Sequence, residues 1–380
     1  MAIIRENCVR DRGLILALVV MNLCLASVHV IGQTDIPTTT DPLLSFGFYA
    51  TSCPRAERIV RDAMHEYYLN DPRHAPAILR LFFHDCFVQG CDASVLLDTA
   101  DPKEPAEKEA APNLHSLRGF ELIDDIKSRI EAICPRVVSC ADIIALAARE
   151  SVLLNTPDKI YEFVHFRVTI DMQTRGPRFA MLTGRRDART SSAARAQRDI
   201  PLPDADYDTI TKSFRSRGLN EVDVAALLGA HTIGRSQCKF VRNRNVESTT
   251  CSNHGNHTTD LDIGSGGIFD NHFFVNLRRG RGILTVDDAL MSRLNSYLRV
   301  TAFAYDNELF FDQFVSSLLK MSSIGVLTGV DGEIRQNCSV VNGPGPLNPF
   351  NDEVVTPRHH PPRHPKKPVV ISGRATGSQS

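Results

Sequence analysis

The chain of 380 residues contains no tryptophan and has no excess of charge of either sign, since 43 Lys and Arg stand against 44 Asp and Glu. This balance argues against a general nucleic-acid binder, which needs a strongly basic face. Hydrophobic residues at 42% and charged residues at 23% are values of globular proteins, so a wholly disordered chain is excluded. The length suits one large core or two lobes packed together.

Several short motifs are also missing. No GxSxG sequence marks the nucleophile of a hydrolase, and no DxDxDG loop marks the usual calcium site. Zinc sites need close pairs of cysteines, and the cysteine spacings do not supply them. The candidate functional residues are therefore sought among the histidines, carboxylates and arginines.

Residues 1–32 predict a secretory signal peptide. Three arginines among the first twelve residues precede an apolar run from Gly13 to Ser27, and small residues then lead to a cleavage point near Gly32. A signal anchor is the alternative, because apolar character continues to Ile31. No later segment is apolar enough to cross a bilayer. We therefore expect a secreted protein without a membrane partner.

Eight cysteines remain once the signal peptide is removed. An even number in an oxidising compartment predicts four disulfides, but the number alone leaves many connectivities open. The eight are Cys53, Cys86, Cys91, Cys134, Cys140, Cys238, Cys251 and Cys338.

Apolar residues at spacings of three and four predict a mainly α-helical domain over residues 33–342, with few and short strands. Ser139 and Asn220 each precede an aspartate by three positions, which resembles a capping box. Residues 343–380 are rich in Pro, His, Lys and Arg, so we expect an extended tail that buries no core. The predicted helices are Arg55–Leu69, Ala75–Phe83, Gly119–Ala132, Ser139–Leu154, Tyr207–Arg217, Asn220–Ala230 and Asn307–Met321.

The densest group of reactive side chains lies between residues 80 and 94. On a helix, Arg80 and His84 share a face, with Phe83 beside the histidine. The guanidinium lowers the pKa of the imidazole, so His84 stays neutral and accepts a proton while Arg80 stabilises negative charge. Alternatively, the pair is an ordinary solvated helix surface.

The same segment predicts an oxygen-rich cation site. Asp85, Asp92 and Ser94 bracket the short interval from Cys86 to Cys91. A disulfide across so small a ring would add only about 2 kcal/mol of stability, so its better use is to hold oxygen atoms in one shape. Carboxylates, a hydroxyl and loop carbonyls are the ligands that Ca²⁺ prefers.

His231 is the second candidate centre. On the helix predicted from Asn220, it continues an apolar stripe of Val224, Leu227 and Leu228. A histidine there is often a hydrogen-bonded core residue. A buried neutral imidazole facing a hydrophobic slot is also what a haem iron binds, provided that a partner fixes the other ring nitrogen. The sequence alone does not identify that partner.

Two long motifs resemble the signature regions of the plant secretory, or class III, haem peroxidases. They are RLFFHDCFVQGCDASVLLD, from Arg80 to Asp98, and LLGAHTIGRSQC, from Leu227 to Cys238. Four further stretches, FYATSCP, AEKEAAPN, TGRRD and IRQNC, occur before, between and after these motifs in family order, and the resemblance runs from about Phe48 to nearly the start of the tail. It implies a mainly α fold of two helical lobes with haem between them.

The resemblance implies roles for the matching distal residues. His84 would be the acid–base toward hydrogen peroxide, Arg80 would stabilise charge as the O–O bond breaks, and Phe83 would wall the peroxide site. Asn113 would hydrogen-bond His84, with Glu107 in the supporting network.

On the proximal side, the resemblance makes His231 the axial ligand of one haem b and Asp287 the acceptor of its other N–H. The haem would be non-covalent, because no CxxCH motif occurs. Pro201 matches a proline whose carbonyl contacts the reducing substrate, which we expect to be a small phenolic donor.

Two calcium sites and four disulfides follow from the same resemblance. The expected distal ligands are Asp85, Val88, Gly90, Asp92 and Ser94, and the proximal ones are Thr232, Asp262, Ser265, Ile268 and Asp270. The expected disulfides are Cys53–Cys134, Cys86–Cys91, Cys140–Cys338 and Cys238–Cys251.

The chain also departs from the family pattern. Residues 156–174 are extra, and are either a surface loop or untranslated sequence read into the product. The Cys238–Cys251 interval is short, which should reshape access to the haem edge. The tail is a vacuolar-type extension, a weak metal-binding tract or a contact to wall polysaccharide. Phe179 stands where tryptophan is usual, which accounts for the absence of tryptophan.

The main hypothesis is a monomeric peroxidase of the extracellular space or cell wall, or of the vacuole if the tail is a sorting signal. Asn256, in an NHT sequence, is expected to be glycosylated. His272 has no supporting partner in the sequence and is expected to be a surface or structural residue. The rival hypothesis, motivated by the insert and the short loop, is a non-catalytic calcium-binding wall or interaction protein.

Overall fold

The structure, a computed structural model, describes residues 43–154, 177–241, 251 and 257–343. The predicted signal peptide, residues 156–174, Asn256 and the tail from residue 344 lie outside the described residues. The chain divides into two units, Met1–Asn342 and Gly343–Ser380, and the fold below belongs to the first.

Eleven α-helices and four short strands occur in the described ranges, which confirms a mainly α fold. Strand β1 (Ser45–Phe46) pairs antiparallel with β2 (Leu182–Thr183), and β3 (Arg235–Gln237) with β4 (Thr258–Asp260). The helices are α1 (Ala56–Asn70), α2 (His74–Cys86), α3 (Phe120–Glu131), α4 (Cys140–Leu154), α5 (Ala193–Asp199), α6 (Tyr207–Arg215), α7 (Glu221–Leu228), α8 (His272–Arg278), α9 (Thr285–Ala289), α10 (Leu294–Tyr305) and α11 (Asn307–Met321).

The first helical group is built around α4. This helix is apolar on nearly every side and buried along almost its whole length, and α1, α2 and α3 all pack against it. Helix α2 therefore has a fixed position, and its last turn carries His84.

The second group comprises α7, α8, α10 and α11, and phenylalanine fills its core. The Phe274 and Phe310 rings lie 4.9 Å apart, as do those of Phe269 and Phe314. Edge-to-face packing stabilises such ring pairs beyond the area that they bury.

The end of α7 differs from the prediction. Helix α7 ends at Leu228, and His231 lies in a short 3₁₀ turn over Gly229–Thr232, so its predicted place on an α-helix is wrong. The backbone of Gly229 lies so close to the phenylalanine core that a Cβ there would be 2.5 Å from Phe310 Cε2. A side chain there would clash with the core, so the first position of the 3₁₀ turn requires glycine.

The predicted caps hold in part. Asn220 forms a complete capping box with Asp223. Ser139 accepts from the backbone N–H of Asp142, but the Asp142 carboxylate pairs with Arg185 at 2.8 Å instead of reaching back. Helices α5, α8, α9 and α10 have no counterpart among the predicted helices, and three of them are at most seven residues long.

All four expected disulfides occur in the structure. The Cys140–Cys338 bond joins the start of α4 to the end of the described fold, and Cys86–Cys91 closes the small ring after α2. The other two are Cys53–Cys134 and Cys238–Cys251.

Candidate active site

His84 is buried, and one of its ring nitrogens is held by Asn113. His84 Nδ1 lies 2.7 Å from Asn113 Oδ1, and Asn113 Nδ2 donates to the backbone carbonyl of Glu107 at 2.8 Å. Because the amide donates to Glu107, its oxygen faces the ring, so His84 Nδ1 is the donor. The tautomer that follows leaves His84 Nε2 free to accept a proton.

Burial lowers the pKa of His84 well below its usual 6.5, and the Arg80 guanidinium lowers it further. The hydrogen bond to Asn113 acts in the opposite direction and does not reverse the shift. The predicted influence of Arg80 is therefore present, but burial is the larger cause. His84 is neutral at ordinary pH.

Arg80 is anchored one turn before His84. Its Nη1 donates to the carbonyl of Ser116 at 2.9 Å, and its Nη2 donates to the carbonyl of Pro112 at 3.0 Å and to Ser116 Oγ at 3.2 Å. Burial lowers the pKa of Arg80 to about 10, although its side chain is accessible to solvent. Both properties fit a side chain that lines an internal cleft. The Phe83 ring lies edge-on to His84, with centroids 5.8 Å apart.

One loop, residues 112–116, therefore holds both distal side chains. Within it His115 has a φ of 59°, in the left-handed region that costs a non-glycine residue about 1–2 kcal/mol. The sequence gives no signal for the anchoring of Arg80, since the contacts span more than thirty residues and run mostly to carbonyls.

His231, the second candidate histidine, is held by Asp287. His231 Nδ1 lies 2.7 Å from Asp287 Oδ1, and the second carboxylate oxygen accepts from the backbone N–H of Leu284 at 3.1 Å. Asp287 is fully buried in the first turn of α9, where its charge faces the positive end of the helix. Within the described residues, neither His84 Nε2 nor His231 Nε2 has a hydrogen-bond partner.

The expected distal calcium ligands fold into one turn after α2. Asp85 Oδ2 accepts from the backbone N–H of Ala93 at 3.0 Å, and Asp92 Oδ1 accepts from that of Ser94 at 3.0 Å. Burial and the nearby Asp92 raise the pKa of Asp85 well above 3.8, and burial raises that of Asp92 to about 6. Ser94 Oγ is buried without a partner. Val88 and Gly90 lie in the ring closed by the Cys86–Cys91 disulfide.

Glu107 connects this turn to His84. Its carbonyl accepts from Asn113, while both of its carboxylate oxygens are buried without a hydrogen-bond partner. Burial raises the pKa of Glu107 to about 8. The hydrogen bond that links Glu107 to Asn113 is therefore made by its backbone, and its carboxylate forms no salt bridge among the described residues.

The expected proximal ligands also converge. Ser265 Oγ donates to Asp262 Oδ2 at 2.6 Å and lies 3.1 Å from Asp270 Oδ1. Thr232 Oγ1 lies 3.1 Å from Asp270 Oδ1 and 3.4 Å from the carbonyl of Ile268. Five residues separated by up to 38 positions thus bring their oxygen atoms to one place.

His272 belongs to the surroundings of this cluster, so it has partners that the sequence did not indicate and is structural, one of the two roles expected for it. Its backbone N–H donates to Asp270 at 2.8 Å, and its Nδ1 lies 3.3 Å from Asp262. Asn276 Nδ2 also donates to Asp262, at 2.5 Å. Periodicity did not predict α8, which carries His272 and Asn276, and so gave no signal for these contacts.

The donor chemistry of both clusters suits calcium. Across the described ranges, no group of three or more His, Cys, Asp or Glu side chains could hold a metal ion. Each cluster instead combines two carboxylates with backbone carbonyls and with one hydroxyl on the distal side or two on the proximal side, a mixture that Ca²⁺ accepts and zinc does not.

Pro201 lies in the loop between α5 and α6 and is partly exposed. Its carbonyl accepts no hydrogen bond from the described residues. The same loop is fixed two residues later, where the carbonyl of Pro203 accepts from the backbone N–H of Val286 at the start of α9. The loop therefore contacts the helix that carries Asp287.

A model of the peroxidase family, described as Peroxidase, matches residues 60–306. Since this match spans more than half of the sequence, the chain belongs to the peroxidase family. Peroxidase 20 of Arabidopsis thaliana is 43% identical over 347 residues, which cover 84% of this chain and 97% of the relative. Peroxidase 71 of the same species is 40% identical over 351 residues, which cover 87% of this chain and 99% of the relative.

These findings confirm the resemblance to class III peroxidases, and the protein is an enzyme of that oxidoreductase type. The family implies haem as the prosthetic group, with hydrogen peroxide and a reducing substrate as reactants. No helix in the described part of the chain is both long and apolar enough to span a membrane.

Proposed function

We propose that the chain is a secreted haem peroxidase that reduces hydrogen peroxide and oxidises small phenolic donors in one-electron steps. One observation carries the proposal: two histidines in the family's signature regions each have Nδ1 fixed 2.7 Å from a side-chain oxygen and Nε2 free of protein partners. One ring can bind a metal while the other moves protons.

One haem b per chain would be held by His231 Nε2 at the iron. The Asp287 carboxylate fixes the tautomer by accepting the Nδ1 proton, and a carboxylate partner raises the basicity of an imidazole ligand. When bound, haem supplies the two electrons that peroxide reduction requires and recovers them from the donor one at a time.

On the distal side, His84 moves the proton. Its neutral Nε2 accepts a proton from one peroxide oxygen and returns it to the other oxygen, which leaves as water. The Arg80 guanidinium stabilises the negative charge that develops as the O–O bond breaks. Asn113 keeps the ring in the required tautomer, and Phe83 limits the space beside it.

Two Ca²⁺ ions per chain would occupy the oxygen clusters. The raised pKa of Asp85 and the partnerless Ser94 Oγ support the distal site, because a cation would relieve both. The distal ion would stabilise the Glu107–Asn113 link to His84. At the proximal cluster, Thr232 directly follows His231, so an ion there would fix the 3₁₀ turn.

The reducing substrate would bind beside Pro201, whose free carbonyl can accept a phenolic O–H. Four disulfides support folding in an oxidising compartment, consistent with secretion to the extracellular space or cell wall. The signal peptide, glycosylation at Asn256, a vacuolar destination and a monomeric state belong to the same proposal.

The test is an assay of the recombinant protein with haem, Ca²⁺ and hydrogen peroxide on a phenolic dye. We expect a peroxide-induced change in the haem spectrum followed by turnover of the dye, and neither at normal rate in a His84→Ala control. Persistent absence of the spectral change in the unmodified protein would favour the non-catalytic alternative, which neither the structure nor the relatives support.

A further inference from the structure

The outer side of α10 carries apolar residues that the fold leaves uncovered. Tyr297, Leu298 and Tyr305 lie three, four and eleven residues after Leu294, which places all four on one side of the helix. Their exposed fractions are 72% for Leu294, 39% for Tyr297, 54% for Leu298 and 75% for Tyr305. We call these four residues the α10 stripe. Soluble proteins seldom expose a continuous apolar strip without a partner for it.

A run of arginines adjoins the stripe. The Arg278 guanidinium lies over the Tyr305 ring, 4.5 Å from its centroid, and Arg279 and Arg281 follow in the exposed turn that ends α8. None of the three forms a salt bridge with a carboxylate within the described ranges. Of the five arginines in segments 278–281 and 293–308, Arg293 is paired with Asp208 at 2.8 Å, and the other four outnumber Asp306 and Glu308, so the surface keeps a positive charge.

The positive charge argues against two partners for the α10 stripe that the chain itself could supply, namely a second copy and the C-terminal segment. A second copy docked by the same surface across a two-fold axis would bring two arginine runs together, and like charges at an interface repel. The C-terminal segment after Glu353 contains Lys, Arg and His but no acid, so it would also be repelled. The occupant must offer negative charge and apolar contact together.

We propose that the α10 stripe and its arginine run form a peripheral contact with an anionic lipid bilayer. The two leucines would enter the headgroup boundary, the tyrosines would lie at the level of the headgroups, and the arginines would pair with lipid phosphates. An acidic polysaccharide would satisfy the arginines but leave Leu294 and Leu298 in water. The proposal revises the expectation of no membrane partner, requires no membrane span, and is independent of the peroxidase chemistry.

The test is cosedimentation of the haem-loaded protein with vesicles of phosphatidylcholine alone and of phosphatidylcholine with phosphatidylglycerol. We expect binding only with the anionic lipid, and weaker binding as salt increases. Because an arginine near such a surface changes the affinity about fivefold, Arg279→Gln with Arg281→Gln should lower it about 25-fold. Leu294→Ser with Leu298→Ser should also release the protein. Val330→Ser, at a residue 94% exposed in the turn beside Arg186, is the matched control and should bind normally.

Several results would overturn the proposal. They are absence of binding to the anionic vesicles, equal binding to neutral ones, and wild-type binding by the leucine variant, which would leave only an electrostatic site. Concentration-dependent self-association that the leucine variant abolishes would assign the surface to a second copy. Turnover of a soluble dye should be unchanged in every variant, which separates this test from that of the peroxidase function.

Discussion

The imidazoles of His84 and His231 each form a hydrogen bond through Nδ1, but with different partners. Each Nδ1 lies 2.7 Å from a side-chain oxygen, which belongs to the neutral amide of Asn113 at His84 and to the carboxylate of Asp287 at His231. An amide oxygen fixes a tautomer without adding charge, whereas a carboxylate makes the ring a stronger electron donor. Because the two distances are equal, we propose that the charge of the partner distinguishes the proton acceptor from the metal ligand.

The surroundings sharpen the contrast. His84 is buried and has the Arg80 cation one turn away, whereas His231 is partly exposed and has the Phe273 ring edge-on at 6.1 Å. Each histidine is nevertheless followed directly by a member of an oxygen cluster, Asp85 in one case and Thr232 in the other. The arrangement of a histidine with a fixed Nδ1 and an adjacent oxygen cluster thus occurs twice, and the two copies differ in the charges around the ring.

The largest expected effect is that of His84→Ala. Without the distal base, the peroxide step should slow by about 10²–10⁴-fold, while haem stays bound because the proximal side is intact. Stopped-flow mixing of the haem-loaded variant with peroxide measures this rate. A normal rate would show that His84 is not the proton acceptor.

Asp287→Asn makes the proximal partner resemble the distal one. Loss of the carboxylate should lower haem retention or activity by about 10–100-fold, the range typical of residues that orient a metal ligand. Haem transfer to an acceptor protein measures the retention. Asp288→Asn, next to it on α9, is the control, and equal losses in the two variants would contradict a special role for Asp287.

Asn113→Asp makes the reverse exchange. In the unmodified protein the pKa of His84 is lowered, so the peroxide step should be independent of pH near 6.5 and fall only at lower pH, as His84 becomes protonated. A carboxylate beside the ring should raise this pKa by about 1–3 units, so the acid limb of the rate profile should move to higher pH. If the acid limb lay at the same pH in both proteins, the charge of the partner would not control the pKa of His84.

Ser116→Ala should have the smallest effect. It removes one of three hydrogen bonds to Arg80 and leaves the two to carbonyls, so the peroxide step should slow about two- to tenfold with unchanged haem content. Full activity in the variant would mean that the carbonyls alone anchor Arg80.

The parts of the site that could be predicted are those in which the interacting residues are close together in the sequence. Arg80 and His84 share a helix face because four residues make about one turn. The Asn220 capping box is equally local, and both of its hydrogen bonds are present.

The remainder depends on distant contacts. Gly229 follows α7 where Phe274 and Phe310 lie too close for a Cβ, and no periodicity within the helix reports that crowding. The contacts of Ser116 with Arg80 and of His272 with Asp262 likewise depend on loops whose positions the whole fold decides. Family resemblance, not residue pattern, indicated Asp287 and the proximal cluster.

The central claim is that His231 binds the haem iron and His84 does not. It is tested most directly by the Soret band of His231→Ala after reconstitution with haem, with and without added imidazole. We expect loss of the stable band and its return when imidazole fills the space of the missing ring. An unchanged Soret band without imidazole would contradict the claim.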